Sequence, residues 1–313
     1  MRIMLVRKLS KITFLPFVLI LFGYILGYKT GNQFRTNIYF KLRDRFIPKQ
    51  LIDYKKYEEE VCPLEPFHIA YFGSGNSTNT VQPFAPLKKI PDNLFQFDWK
   101  TNKCFKFKEP LLGVNGNGGN TIKYLAYELA RNTNKPVLIS LFGKESTSVL
   151  DWAYGYLSYQ HEFMLEGLRR KNLSPQMFIW NQGEADSREL GIDPSFLKKN
   201  FRILNKNIKR MGLNQKEYKD ALQVVLDRTK YYFPESYFGI TLATRCKSNE
   251  WLPVRKAKID TITINKKTLI IADGDKIYNK KYRYDNCHYS DLGAMKLSNE
   301  FLNSIKNIEE FLF

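Results

Sequence analysis

Four polar residues in three separate segments have types and positions suited to nucleophilic catalysis. Ser77 lies in G-S-G-N-S-T-N after one apolar run, and Gln182 lies in W-N-Q-G-E-A-D after another. Asp285 precedes His288 by three residues, so its carboxylate can accept a hydrogen bond from Nδ1 and orient the imidazole as a general base. A serine hydroxyl near that base could attack an ester carbonyl, while the glutamine amide donates to the oxyanion. Each segment alone is weak evidence, because turns and helix caps use the same residue types.

Five apolar runs predict the strands that would position these residues. The runs are continuous rather than alternating, which is typical of parallel strands covered on both faces. Helices are predicted between them from apolar residues three or four apart. Together they predict an α/β domain with a doubly wound parallel sheet of about five strands, whose ligands bind at the carboxyl ends of the strands. The predicted strands are His68–Phe72, Val137–Phe142, Met177–Trp180, Phe238–Ala243 and Leu269–Ala272, and the predicted helices are Thr121–Arg131, Val149–Arg169, Phe196–Met211, Lys216–Lys230 and Asp291–Ile308.

The three segments together resemble motif blocks of the SGNH (GDSL-like) hydrolase superfamily. Within it, they are most similar to carbohydrate esterases of the acetylxylan esterase and sialate O-acetylesterase type. Residues 180–186 fit the block W-x-Q-G-E-x-D, and residues 285–293 fit D-x-x-H-[FY]-S-x-x-G. In the first block, Gly-Gln-Ser-Asn, we match Gly75-Asn76-Ser77, with Asn76 in place of Gln and Thr78 in place of the final Asn. Residues 147–152 resemble G-G-T-S-x-x-x-W, except that Glu145 and Ser146 replace the two glycines.

This resemblance implies a flavodoxin-like SGNH hydrolase fold and a serine esterase mechanism. Ser77 would be the nucleophile, His288 the base and Asp285 the residue that orients it. Gln182 and the N–H groups of Ser77 and Gly119 would form the oxyanion hole. A further group of residues would support the loop after the third strand: Gly183, Glu184 and Asp186.

The expected activity is removal of O-acetyl groups from carbohydrate through an acyl-serine intermediate. One alternative is an O-acetyltransferase that uses the same acyl-serine, and another is a catalytically inactive glycan-binding module. No metal or other cofactor is expected, since no His, Cys and carboxylate cluster has ligand spacing. Asp273 and Asp275 have a structural role by default, with calcium as a minor alternative, and His68 and His161 are expected to be structural.

The basic composition bears on partners and location. Lys+Arg 49 against Asp+Glu 31 gives +18. The first fifty residues contribute 10 − 1 = +9, which leaves 39 − 30 = +9 for the remainder. Such a balance indicates a membrane surface or an anionic glycan rather than nucleic acid, because no basic run with interleaved aromatics occurs. The 43% apolar and 15% aromatic content excludes disordered and collagen-like classes.

The amino-terminal segment predicts export. Residues 12–28 carry no charge, follow a basic start and lack a small-x-small cleavage site. We therefore expect an uncleaved signal anchor at 1–29, a stalk or wrapping segment at 30–60 and an extracytoplasmic, membrane-anchored esterase domain at 61–313. A buried core helix is the alternative for the apolar segment.

Four cysteines suit an oxidising compartment. Their spacing is too wide for a zinc ribbon, and no C-x-x-C pair occurs. Late strands place Cys246 and Cys287 at the same sheet edge, and Cys62 and Cys104 flank the first strand region. We therefore expect Cys246–Cys287 and Cys62–Cys104 disulfides, with four buried thiols as the alternative.

Overall fold

The computed structural model describes residues 52–187, 212–247 and 250–311, which build one sheet with helices on both faces. The strands are β1 (Glu59–Glu60), β2 (Phe67–Gly73), β3 (Leu94–Asp98), β4 (Lys103–Lys106), β5 (Val137–Gly143), β6 (Met177–Asn181), β7 (Tyr237–Leu242) and β8 (Thr268–Asp273). The α-helices are α1 (Lys123–Arg131), α2 (Val149–Ala153), α3 (Tyr156–Arg170), α4 (Gln215–Tyr232), α5 (Leu252–Ile264) and α6 (Asp291–Lys306). Short 3₁₀ turns in the described ranges include Tyr54–Lys56, Gly75–Ser77, Gly274–Lys276 and Glu309–Phe311.

The sheet has the order β1-β4-β3-β5-β2-β6-β7-β8. From β3 to β8 every neighbouring pair is parallel, whereas β4 is antiparallel to both β1 and β3. The five predicted strands are the consecutive β5-β2-β6-β7-β8, whose order in chain numbering reads 2-1-3-4-5, the flavodoxin-like arrangement. Loops after β2 and β6 therefore meet at the point where the strand order reverses, the usual ligand position.

The sheet is larger than predicted, with eight strands instead of about five. The extra parallel strand β3 was missed because its polar residues interrupt the apolar run. Gln96 and Asp98 are both buried there, and the Gln96 amide donates to the carbonyl oxygens of Lys106 and Lys108. Satisfied buried polar groups of this kind hide a strand from any search for continuous apolar residues.

Two hydrophobic clusters hold the helices against the sheet. One face packs α1 and α6 through residues such as Leu125 and Phe301. The opposite face packs α2 to α5 around Phe72, Trp152 and Trp180, whose rings lie 5.1–5.9 Å apart. Burial on both faces explains why the central strands read as continuous apolar runs.

The predicted helices differ from the structure in three ways. The predicted Val149–Arg169 helix is two helices, because Gly155 is extended and a Cβ there would lie 2.8 Å from Asp151 Cα. Helix α5 was missed because it buries Lys258 and Thr261 beside its apolar residues, which obscures the period. The predicted helix at Phe196–Met211 lies outside the described residues.

The predicted disulfides are both present, Cys62–Cys104 and Cys246–Cys287, with Cα–Cα distances of 5.0 and 4.0 Å. The predicted anchor at 1–29, and all of the stalk up to residue 51, lie outside the described residues. Within the described ranges no helix has the length and apolar character needed to cross a bilayer.

Candidate active site

His288 and Asp285 form the hydrogen-bonded pair that their spacing predicts. His288 Nδ1 lies 2.8 Å from Asp285 Oδ2, while Oδ1 accepts the backbone N–H groups of Cys287 and His288. Burial opposes ionisation of Asp285, but the hydrogen bonds from His288 outweigh it and hold the carboxyl pKa below its usual range. His288 Nε2 has no hydrogen-bond partner among the described residues, and 28% of this side chain is exposed. The imidazole is therefore oriented and open on one side.

Arg283 braces the loop that carries this pair. Its guanidinium is buried and donates to the carbonyl oxygens of Gly274, Ile277 and Cys287 and to the hydroxyl of Tyr289. The Cys246–Cys287 disulfide ties the same loop to the segment after β7. Two independent restraints therefore fix the position of His288.

Ser77 does not lie where the sequence predicts. Its side chain is fully buried, and Oγ donates to the Asn181 carbonyl oxygen at 2.6 Å. No hydrogen bond joins Ser77 to His288 within the described part of the chain. Ser74 is also buried, and its Oγ accepts the Thr147 N–H at 3.2 Å. The expectation that Ser77 contacts the base is corrected, because its hydroxyl packs beneath the turn, where a Cβ on Gly73 would lie 2.7 Å from it.

Gly75 is the residue of this turn that faces the base. A Cβ built at position 75 would lie 3.5 Å from His288 Nε2 and 3.8 Å from Cδ2, and no other non-neighbouring atom of the described residues lies within 4 Å. These distances are ordinary van der Waals contacts, so a small side chain fits there. One bond further, a serine hydroxyl could reach hydrogen-bond distance of Nε2. We call this unfilled space beside His288 the Gly75 gap.

The position of Gly75 shifts the first motif block by two residues. The block Gly-Gln-Ser-Asn also fits Gly73-Ser74-Gly75-Asn76, and in this register Gly75 takes the position of the serine. Gly73 has φ +143° and a Cβ there would lie 2.2 Å from the Asn181 carbonyl oxygen, so only glycine fits the start of the turn. The sequence prediction aligned the serine and thereby overlooked the matching first glycine and final asparagine.

Asn76 links all three motif segments. Its Nδ2 donates to Glu184 Oε1 at 2.8 Å and to the Cys287 carbonyl oxygen at 3.3 Å, while Oδ1 accepts the Tyr289 N–H at 3.2 Å. One buried amide therefore connects the turn after β2 to the loop after β6 and to the His288 loop. Through this hydrogen bond Glu184 holds the loop after β6 against the turn after β2, the supporting role that the sequence predicts for it.

The three predicted oxyanion donors are all engaged inside the protein. The buried Gln182 amide donates to the Thr147 carbonyl oxygen and to Asp186 Oδ2. The Gly119 N–H donates to the Val81 carbonyl oxygen, and the Ser77 N–H to that of Ser74. The predicted oxyanion hole is therefore corrected, since hydrogens committed to buried acceptors are not free for a ligand.

Lys258 holds the loop that contains Gly183. Its buried ammonium group donates to the carbonyl oxygens of Gln182, Thr241 and Ala243. Burial lowers the pKa of Lys258 to about 8, although nearby carboxylates oppose the shift. Gly183 has φ +145°, and a Cβ there would lie 2.2 Å from the Ala243 carbonyl oxygen. The loop is therefore packed too closely for any other residue at 183.

The remaining polar candidates have structural partners. Asp273 pairs with Arg255, and Asp275 accepts the N–H and hydroxyl of Thr244. His68 and His161 are fully buried. No group of three or more metal-ligating side chains occurs among the residues that the structure describes.

Comparisons with known proteins support the fold. No family model matches the chain, and no curated protein does. Among solved structures, a protein from Arabidopsis thaliana matches with a TM-score of 0.56 and 12% identity over 77% of this chain and 99% of that chain. A carbohydrate acetylesterase from Xanthomonas citri matches at 0.49 and 12%, over 77% and 56%. A family two carbohydrate esterase from Clostridium thermocellum, in complex with cellohexaose, matches at 0.45 and 12%, over 80% and 66%.

The shared fold rests on the Arabidopsis thaliana protein, with its TM-score of 0.56. A GDSL-like lipase and carbohydrate esterases are also among the matching structures, in agreement with the predicted resemblance to the SGNH hydrolases. In this site, sequence reasoning missed Gly75, Arg283 and Lys258. Gly75 could have been found by aligning the block Gly-Gln-Ser-Asn with residues 73–76. No sequence signal, by contrast, distinguishes a buried Arg or Lys from one on the surface.

Proposed function

We propose that this chain binds O-acetylated carbohydrate beside His288 and forms no acyl-serine intermediate. The observation that supports this is Gly75, which leaves the position next to Nε2 without a nucleophilic side chain. Carbohydrate as the ligand class rests on the motif resemblance to carbohydrate esterases. Nε2 of the imidazole, which Asp285 orients, would accept a hydrogen bond from a sugar hydroxyl. This favours the glycan-binding alternative over both acyl-serine mechanisms.

Direct hydrolysis is a second candidate, favoured by the intact pair and the open Gly75 gap. Here His288 Nε2 takes a proton from a water molecule in the gap as the water oxygen bonds to the acyl carbon. The ester C–O bond then breaks, and the sugar oxygen receives the proton from the imidazolium. This mechanism yields acid and alcohol with no covalent enzyme intermediate.

We further propose the predicted anchor for residues 12–28 and an extracytoplasmic location. The two disulfides support this location, because disulfides persist in oxidising compartments. Membrane fractionation of the full-length chain, with sequencing of its amino terminus, tests the proposal. Recovery of a soluble form that begins near residue 30 would contradict it.

The function is tested by measuring binding and acetate release on the same O-acetylated xylo-oligosaccharide. We expect the wild type to bind it with little release, and Gly75→Ser to gain release by about 10³-fold or more, since nucleophile and base act together. Release by the wild type that Ser77→Ala abolishes would contradict the proposal. Slow release that His288→Ala abolishes and Ser77→Ala leaves unchanged would instead support direct hydrolysis.

A further inference from the structure

Glu145 lies in the segment that borders the Gly75 gap. The Lys144 N–H donates to the Gly73 carbonyl oxygen at 3.1 Å, and the Thr147 N–H donates to Ser74 Oγ at 3.2 Å. These contacts place residues 144–147 directly beside the turn that contains Gly75. The Glu145 carboxylate thus lies beside this turn, at a position where the G-G-T-S-x-x-x-W block has a glycine.

The Glu145 carboxylate is held in place from one side. Asn115 Nδ2 donates to Glu145 Oε1 at 2.8 Å, and Asn115 Oδ1 accepts the Glu145 N–H at 3.2 Å. Oε2 has no hydrogen-bond partner in the described ranges, and the side chain is only partly buried. The second oxygen is thus an oriented acceptor with free capacity.

Tyr284 completes the surroundings of the gap. Its ring is 46% exposed and lies nearly parallel to the His288 ring, with centroids 6.1 Å apart. Burial raises the pKa of the Tyr284 hydroxyl, and the negative charges of Asp285 and Glu145 raise it further. Glu145 therefore acts electrostatically on Tyr284, whose ring stacks on that of His288.

These groups match the chemistry of one class of ligand. An exposed aromatic ring packs against the C–H face of a sugar, and carboxylate and imidazole acceptors bind its hydroxyl or ammonium hydrogens. A carboxylate or sulfate on the sugar would instead be repelled by the negative charges of Glu145 and Asp285.

We propose that Glu145 is a specificity-determining residue that makes the site prefer neutral or amino sugars over anionic ones. This inference rests on the proposed function and replaces the expectation of an anionic glycan. It also gives a role to Glu145, which replaces the first glycine of the G-G-T-S-x-x-x-W block. Ser146 keeps the backbone conformation that glycine favours there, with φ +59°.

The test measures dissociation constants for two probes, an O-acetylated xylo-oligosaccharide and an O-acetylated galacturonate oligosaccharide. We expect the wild type to bind the neutral probe about tenfold or more tightly than the anionic one. Glu145→Gln keeps the size of the side chain and should reduce this ratio about tenfold. Glu166→Gln removes an equal charge on the exposed face of α3 and should leave the ratio unchanged.

The outcomes separate this inference from the proposed function. Binding of both probes with a ratio that Glu145→Gln does not alter would overturn the specificity role alone. Tighter binding of the anionic probe by the wild type would do the same. Binding of neither probe would overturn both the specificity role and the proposed function.

Discussion

The loop at 283–290 and the turn at 73–79 face each other across the site but differ in what they contribute. The first holds a complete base and carboxylate pair, fixed by a buried arginine and a disulfide. The second keeps the glycine and asparagine that shape it, yet the residue that faces the base is Gly75, which has no side chain. Since the contacts of Gly73 and Asn76 do not involve a side chain at 75, the shape of the turn does not depend on which small residue stands there.

The largest expected effect is on catalytic rate. It requires a serine in the turn at 73–79 and a second substitution in the loop at 283–290. In the Gly75→Ser background, Asp285→Asn should lower kcat for an activated acetyl ester by about 10³-fold or more, because an amide NH₂ group then faces Nδ1 in place of the carboxylate oxygen and favours the wrong imidazole tautomer. Asp220→Asn, on the exposed face of α4, is the matched control. Equal rates for Gly75→Ser/Asp285→Asn and Gly75→Ser/Asp220→Asn would show that Asp285 and His288 do not activate the serine at position 75.

The next largest effect is on stability, and it is expected when the Arg283 side chain that holds the His288 loop is removed. Arg283→Met leaves several buried carbonyl oxygens without a donor, and we expect a loss of about 3–5 kcal/mol in the free energy of unfolding. Arg170→Met changes an exposed side chain and should cost less than about 0.5 kcal/mol. Urea denaturation measures both, and similar midpoints would contradict the bracing role.

The two disulfides offer a matched comparison between the His288 loop and a distant part of the fold. They close loops with sequence separations of 41 and 42 residues, so replacing either pair by alanine should cost about 4 kcal/mol on chain-entropy grounds. Only loss of Cys246–Cys287 should also lower the esterase rate of Gly75→Ser, because that bridge adjoins the base. Equal rates in the two disulfide variants would mean that Arg283 positions the loop unaided.

The smallest expected effect concerns Ser77. Ser77→Ala removes a buried hydrogen bond to the Asn181 carbonyl oxygen and should cost about 1–2 kcal/mol of stability. It should not change glycan binding or the rate of the Gly75→Ser variant. Thermal denaturation and acetate release are the measurements, and a lost rate with unchanged stability would contradict the structural role.

Much of the fold and half of the site could be predicted from the sequence. Continuous apolar strands, the Asp285–His288 spacing and the cysteine positions all follow local rules that tertiary packing leaves intact. The turn after β2 was misread because two overlapping motif registers are possible there, and only the distance from position 75 to Nε2 separates them. Buried polar groups such as Gln96, Arg283 and Lys258 depend on partners distant in the chain, which no local pattern encodes.

Covalent trapping tests the central claim most directly. Wild type, Ser77→Ala and Gly75→Ser are each incubated with a fluorophosphonate that reacts with base-activated serine, and intact masses are then measured. We predict one adduct on Gly75→Ser, located at position 75 by peptide mapping, and none on the wild type or Ser77→Ala. An adduct on the wild type that disappears in Ser77→Ala would contradict the account.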